Sequence, residues 1–331
     1  MMSEIFQKQK HLYLVFFLFF AQFFILDAYY FDDLFRANEG YFGWSGDGRA
    51  LGGLLYKILQ NFQSPLADIY PIPLIITGLF FCFVVYHFCL SFNITCQKQQ
   101  ILILLLLVSN PLALSDWLFR YDSSFMLLSI AFALIPFCLF HLSTKKWLIY
   151  SILSLIGSLM TYQISINIFI GFSAIFIFKL STENYSIKNI CFVILKCILI
   201  LILAYLIYSN IILKIKPTHS YAAQFRELAT FSNLTIVLQQ NMIKTYHLTY
   251  PLFTSGFFIP YSIAIAFSCY AIFKTNQLVQ FMYLIAFLTS IFAISGVMLF
   301  SPNAPFYSRT LLGIIPFLIF PIITLALFKH N

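Results

Sequence analysis

The stretch Lys188–Ile212 reads KNICFVILKCILILILAYLIYSNII. About 20 apolar residues of helix, rising 1.5 Å each, are what it takes to cross roughly 30 Å of hydrocarbon. Runs of the same character recur near 12–30, 69–91, 99–115, 123–142, 147–162, 164–180, 251–273, 277–299 and 309–328. The sequence therefore predicts an all-α polytopic membrane protein with about ten transmembrane helices. The first run follows a basic stretch as a signal peptide does, but it is too long and has no small-residue cleavage site, so it reads as a retained helix.

The whole composition agrees with a lipid solvent. Of 331 residues 61% are hydrophobic and 9% charged, and the mean hydropathy is +0.90, far from soluble domains. The 41 Phe and 20 Tyr suit lipid-facing positions and interfacial belts. A net charge of +8 is scattered through short loops and forms no basic stripe, which argues against nucleic acid as a partner. The seven cysteines lie in or beside apolar runs and read as packing residues. The six histidines lack metal-ligand spacing, and neither a nucleophile triad nor a phosphate loop is present. No cofactor is expected, and dependence on a divalent cation stays open.

Loop charge sets the orientation. Lys8, Lys10, Lys98, Lys145, Lys146, Lys179, Lys188, Lys274, Lys329 and His330 fall on one side, which the positive-inside rule makes cytoplasmic together with both termini. The other side receives all five arginines, Arg36, Arg49, Arg120, Arg226 and Arg309, and every acid except Glu4 and Glu183. Arginine there opposes the insertion bias. Either it pairs with neighbouring acids, or it is kept for bidentate recognition of phosphate or carboxylate. With no repeat or linker, residues 1–331 read as a single membrane domain. Its two long non-spanning stretches, Phe31–Asp68 and Leu213–Tyr250, read as partly helical segments lying along the outer interface and roofing a cavity.

Three constellations on that side carry chemistry. Tyr30-Phe31-Asp32-Asp33-Leu34-Phe35-Arg36 places adjacent carboxylates where the first helix leaves the membrane. One can serve as a general base toward an attacking hydroxyl while the other orients it; such a pair also occurs as a plain helix-end feature. Asp27, deeper, reads as satisfied by a neighbouring helix. Gly40-Tyr41-Phe42-Gly43-Trp44-Ser45-Gly46-Asp47-Gly48-Arg49 combines close-approach glycines with aromatic faces suited to sugar rings, or is a tight re-entrant turn. Asp116-Trp117-Leu118-Phe119-Arg120-Tyr121-Asp122-Ser123-Ser124 either satisfies itself or presents charge to a substrate. Tyr162-Gln163 and Tyr307-Ser308-Arg309 face the same side.

Taken in order, Asp-Asp-x-x-Arg, Gly-x-x-Gly-Trp-x-x-x-Gly-Arg, Phe-Arg-Tyr-Asp-Ser, Tyr-Gln and a late Arg resemble the bacterial glucosyltransferases of the O-antigen conversion, GtrII-like type over nearly the whole chain. The resemblance implies a C-superfamily (GT-C) glycosyltransferase of the inner membrane with a periplasmic active site. It would take a sugar, by resemblance glucose, from a polyprenyl-phosphate donor to a lipopolysaccharide or other surface glycan, working beside a flippase and a donor-synthesising glycosyltransferase. It implies catalytic roles for Asp32 and Asp33. Arg49, Arg120 and Arg309 would bind the donor phosphate, Asp122 and Gln163 would hold sugar hydroxyls, and Arg36, Trp44, Asp47 and Tyr162 would complete the substrate site. Many relatives carry a periplasmic segment after the last helix, whereas this sequence ends at Asn331, which leaves acceptor recognition to the outer loops.

Two other functions compete. An O-antigen polymerase or ligase also uses outer arginines, but in large middle or late loops. A flippase or transporter of lipid-linked sugar calls for charge near the midplane and paired broken helices, while the apolar runs here are nearly free of charge. The charge segregation predicts that a reporter fused after Lys329 is cytoplasmic and one inserted near Thr218 is periplasmic. Protease protection in spheroplasts checks it, and both tags on one side would refute the ten-span arrangement.

Overall fold

The computed structural model describes residues 2–26, 28–183, 185–215 and 217–328. Asp27, Lys329 and His330, which the sequence reading gave a buried partner and the cytoplasmic face, lie outside the described residues. Every regular element among those described is helical. In chain order they are α1 (Met2–Ile25), α2 (Asp32–Glu39), α3 (Ala50–Leu59), α4 (Ile72–Ser91), α5 (Gln97–Val108), α6 (Ser123–Cys138), α7 (Thr144–Leu159) and α8 (Ile166–Thr182). Then come α9 (Ile187–Ile207), the short α10 (Leu213–Ile215) and α11 (Ser220–Gln224), and α12 (Leu234–Thr254), α13 (Phe258–Phe273), α14 (Gln277–Ala293) and α15 (Ile314–Phe328).

A helix lies within each apolar run, but length decides which can cross a bilayer. Ile72–Ser91, Gln163–Thr182 and Ile187–Ile215 are long and apolar enough, with a fourth if α12 and α13 form one bent span. The apolar helices α5, α6, α14 and α15 have 12, 16, 17 and 15 residues, and at 1.5 Å per residue even the longest reaches only about 26 Å. These lengths establish a helical membrane protein and support fewer full crossings than the sequence predicts.

The bundle is built around α6 and α8. An all-apolar helix has no polar stripe to offer water, so it is buried by protein or by lipid, and the two solutions appear side by side. The α8 segment is 89% buried within the protein, whereas the α9 segment is 28% buried; Leu195, Leu199 and Ile202 of α9 stand exposed, as lipid-facing residues do. Between α4, α6 and α8 the core is a cluster of Phe88, Phe92, Phe137, Phe169, Phe172 and Phe176, with Phe137 stacked on Phe169 at 5.6 Å. Small hydroxyls join the helices where lipid offers no hydrophobic drive for association. Ser129 Oγ meets Ser165 Oγ at 2.6 Å, and Ser158 Oγ donates to the Ser129 carbonyl at 3.0 Å.

Both long non-spanning stretches are partly helical, as the sequence predicts. α2 and α3 fill the first, but α12 runs on through Pro251 to Thr254, so the eighth apolar run is not one helix from residue 251. At residues 255–257 the chain turns by 93° into α13. Tight backbone contact sets the last connection: Asn167 Nδ2 donates to the Ser295 carbonyl at 3.0 Å, its Oδ1 accepts from Val297 N at 3.2 Å, and a Cβ at Gly313 would run into the Ala293 carbonyl oxygen. Backbone cannot yield as a side-chain tip does. Gly313→Ala is therefore expected to cost about 1–3 kcal/mol, the overpacking range, seen as a lowered thermal midpoint in detergent; an unchanged midpoint would show that α14 and α15 can part freely.

Candidate active site

The candidate site is built where the segment between α2 and α3 is fastened to the ends of other helices. After α2 the chain turns at Gly40, whose φ of +62° is the left-handed cap glycine permits. Residues 44–49 then wind tightly, Arg49 N donating to the Trp44 carbonyl at 2.7 Å. Gly48 has φ +80°, and a Cβ there would lie 2.5 Å from the Tyr208 hydroxyl and 2.9 Å from Gln163 Nε2. Both groups use that approach: Tyr208 Oη donates to the Gly48 carbonyl at 3.0 Å, and Gln163 Nε2 donates to the Asp47 carbonyl at 2.8 Å and to Tyr208 Oη at 3.0 Å. The glycine-rich motif is thus a tight turn fastened to two other segments.

The adjacent aspartates part company. Asp32 is exposed, while Asp33 is buried with both oxygens engaged. Its Oδ2 accepts from Arg120 N at 2.6 Å and Tyr30 N at 3.3 Å, and its Oδ1 from Tyr121 N at 3.2 Å. Burial outweighs those backbone donors and pushes its pKa up to about 6. Phe31, just before the pair, takes φ +49°, a strained setting for a bulky residue. Arg120 turns from the other arginines: Nε donates to Asp68 Oδ2 at 2.6 Å, and the guanidinium lies 4.9 Å from the Tyr70 ring and 5.4 Å from that of Tyr29.

A second cluster centres on Asp122, buried at the start of α6. Trp44 Nε1 donates to its Oδ1, while Arg49 and Arg36 stand 3.6 and 3.9 Å from its Oδ2. Arg36 also lies 3.9 Å from Asp47 and 4.3 Å from the Trp44 ring centroid. Arg49 spans the Tyr162 ring at 4.9 Å. Burial opposes the charge on Arg49, yet Asp122, Tyr162 and Asp47 together raise its hold on the proton. Asp47 is partly exposed, and burial raises its pKa against the pull of Arg49 and Arg36.

Two groups are left over. Asp116 is wholly buried with neither oxygen hydrogen-bonded, and burial raises its pKa well above the usual carboxylate value against Arg309 and Arg49. Arg309 lies 4.7 Å from the Phe119 ring and 5.3 Å from that of Tyr307, and among the described residues no carboxylate comes within ion-pair distance of it. Arg49 Nε and Arg36 Nε and Nη1 are likewise buried without hydrogen-bond partners.

Of the sequence candidates, Arg36, Trp44, Asp47, Arg49 and Asp122 come together directly. Tyr162 and Gln163 border them, and Arg309 joins through the carbonyl that accepts from Tyr162 Oη at 3.5 Å. Asp33 and Arg120 belong to the separate group with Asp68. Asp116 belongs to the third sequence constellation without an assigned role, and Asp68, Tyr208 and His219 are site neighbours that no sequence motif singles out. Tyr208 was hidden in an apolar run, and His219 Nε2, 3.2 Å from Tyr41 Oη, comes from a remote loop. Among the described residues no group of His, Cys, Asp and Glu is arranged to hold a metal ion.

The family model described as Glucosyl transferase GtrII matches residues 6–328. The chain belongs to the GtrII family. An uncharacterized 55.3 kDa protein of Salmonella phage P22, encoded in the 5′ region of gtrB, is 29% identical over 204 residues, covering 59% of this chain and 40% of that protein. No solved structure matches.

In this GtrII-family chain the burial of Asp33 has a measurable signature. Its folded pKa, about 6, lies above the 3.8 of an exposed carboxyl, so the folded state binds the extra proton. The associated stability is present below pH 4 and is lost as pH rises through 6. The stability advantage of wild type over Asp33→Asn should therefore shrink between pH 4 and 6.5 in thermal unfolding. An advantage that grows with pH would mean that the ionised form is the favoured one.

Proposed function

We propose that the chain transfers a glycosyl residue, glucosyl by its family, from a polyprenyl-phosphate donor to a lipopolysaccharide or related surface glycan at the periplasmic face of the bacterial inner membrane. The observation that carries this reading is the outer cluster in which Arg49 and Arg309 keep guanidinium donors unspent beside Asp122, Tyr162 and Gln163. Guanidinium forks suit the donor's phosphodiester in a partly desolvated site, and the phosphate monoester that leaves from it. Membership of a glucosyl transferase family supplies the group transferred. The same reading takes residues 1–331 as one GT-C-like domain with ten crossings, shorter helices tilting little or thinning the bilayer, and with both termini cytoplasmic.

The chemistry needs few groups. The acceptor hydroxyl attacks the anomeric carbon from the face opposite the phosphate, a carboxylate takes the hydroxyl proton, the C–O bond to phosphate breaks, and the lipid phosphate leaves with the electron pair. One displacement inverts the anomeric centre. Asp32, exposed at the start of α2, is the base in this reading, and Asp33 positions it by fixing Tyr30 and residues 120–121. Donor phosphate lies on Arg49 and Arg309, sugar hydroxyls meet Asp122 and Gln163, and Arg36, Trp44, Asp47 and Tyr162 shape the pocket; Arg120 acts through the Asp68 side.

Purified chain should move labelled glucose from polyprenyl-phosphate-glucose, and not from a nucleotide sugar, onto extracted glycan. Cells carrying the gene should gain a hexose mass on lipopolysaccharide. A change in chain length alone would point to a polymerase. Asp32→Asn is expected to lower turnover at least about a hundredfold with folding retained, as loss of a general base does. Arg49→Lys should weaken donor binding although charge is kept. Normal turnover in Asp32→Asn would move the base to Asp33, Asp47 or Asp122.

A further inference from the structure

A groove of about 540 Å³ opens between α12 and residues 303–307, outside the arginine cluster. Lys244 and His247 project into it from successive turns of α12, facing Asn303 and Tyr307 across a floor of Phe225, Leu248 and Phe306. No acid lines it. Glu227 stands beside it and accepts from Asn303 Nδ2 at 3.1 Å. Lys244 Nζ reaches Asn241 Oδ1 at 3.3 Å and lies 5.5 Å from the Phe306 ring, and among the described residues no carboxylate pairs with it.

The walls are built to hold their shape. Asn241 Nδ2 donates to the Ser301 and Met298 carbonyls at 2.8 and 3.2 Å, tying α12 to the chain before residue 303. Ser301 Oγ donates to the Phe225 carbonyl at 3.1 Å, and Ala229 N to the Phe300 carbonyl at 2.8 Å. On the face of α12 next to the groove, Ile236, Ile243, Tyr246 and Tyr250 are exposed, an apolar and aromatic stripe of the kind that suits a bilayer surface. At its inner end the groove reaches Tyr307, beside the Arg309 guanidinium.

We propose that this groove is a second phosphate site, which takes the phosphate-bearing head of a membrane lipid while the arginine cluster stays open to the donor. A lysine ammonium, an imidazole, an amide and a phenol line it, and among the described residues no carboxylate pairs with the lysine, Glu227 being engaged by Asn303. The apolar floor accepts the first carbons of the chain. Its use rests on the transfer reading, since an acceptor carried on a lipid phosphate would be held here beside a donor on Arg49 and Arg309.

Full-length chain in phosphatidylcholine nanodiscs, titrated with farnesyl phosphate, should bind two equivalents. Lys244→Gln, a change at an exposed position, should weaken one site about tenfold, the scale of a charged hydrogen bond, and spare the other; Asn303→Ala should weaken the same site. Arg309→Lys should alter only the second. One equivalent in wild type that Lys244→Gln leaves unchanged, or two equivalents unchanged in both Lys244→Gln and Asn303→Ala, would overturn the proposal. Displacement by inorganic phosphate at equal concentration would assign the groove to a soluble anion and overturn the lipid assignment. Loss of only the arginine site's binding from wild type, with the Lys244 site intact, would instead refute the donor reading.

Discussion

The arginine cluster and the segments that carry it depend on one buried carboxylate. Asp122 is 3% exposed at the head of α6, and an isolated charge at such a place would be neutralised or expelled. It is kept by Trp44 from the roof turn, Arg49 at the entrance to α3 and Arg36 from α2. Three segments with little apolar surface of their own are thereby fastened to the end of a helix whose remaining length is core. Trp44 completes the joint by stacking on Tyr56 at 5.1 Å and meeting Phe125 edge-on at 5.2 Å. Polar direction and aromatic burial coincide in one side chain, so the roof has a single register on the bundle.

That arrangement sorts the arginines. Proximity to acids accounts for Arg120 through Asp68, for much of Arg36, and for one end of Arg49. It does not account for Arg309, held by the faces of Phe119 and Tyr307. Ring faces position a guanidinium while leaving its edge donors available, which is the condition an anion needs on arrival. Asp116, buried nearby without hydrogen-bond partners, is pushed by that burial toward its neutral form, so it does not tie up Arg309 as an ionised carboxylate would.

What the sequence revealed and what it concealed divide along physical lines. Each apolar run contains a helix, because twenty consecutive apolar residues have one solution in lipid whatever their neighbours do. The break at 255–257 is marked in the sequence only by Thr254-Ser255-Gly256, a short turn signal inside an otherwise apolar run, while Pro251 sits within α12. Loop charge groups Trp44, Arg49 and Asp122 on one side of the membrane, but the split between Asp32 and Asp33 depends on which one the backbone of residues 120–121 reaches. No local pattern carries that. Tyr208 was lost in the same way, since a tyrosine in an apolar run looks like any interfacial aromatic until Gly48 is brought beneath it.

A glycine can mark such a meeting before the partner is known. Gly48 and Gly40 both have positive φ, and at each a side chain would collide with a distant segment, Tyr208 in one case and Pro65 in the other. Their motif therefore works less as a cradle for phosphate, whose spacing it lacks, than as a hinge-free staple that brings Asp47 and Arg49 to the same edge. The consequence is geometric. The carboxylates at the start of α2 and Arg49 at the start of α3 are joined by α2 itself and ten residues of turn, so anything that reshapes the turn moves the carboxylates and the guanidinium together.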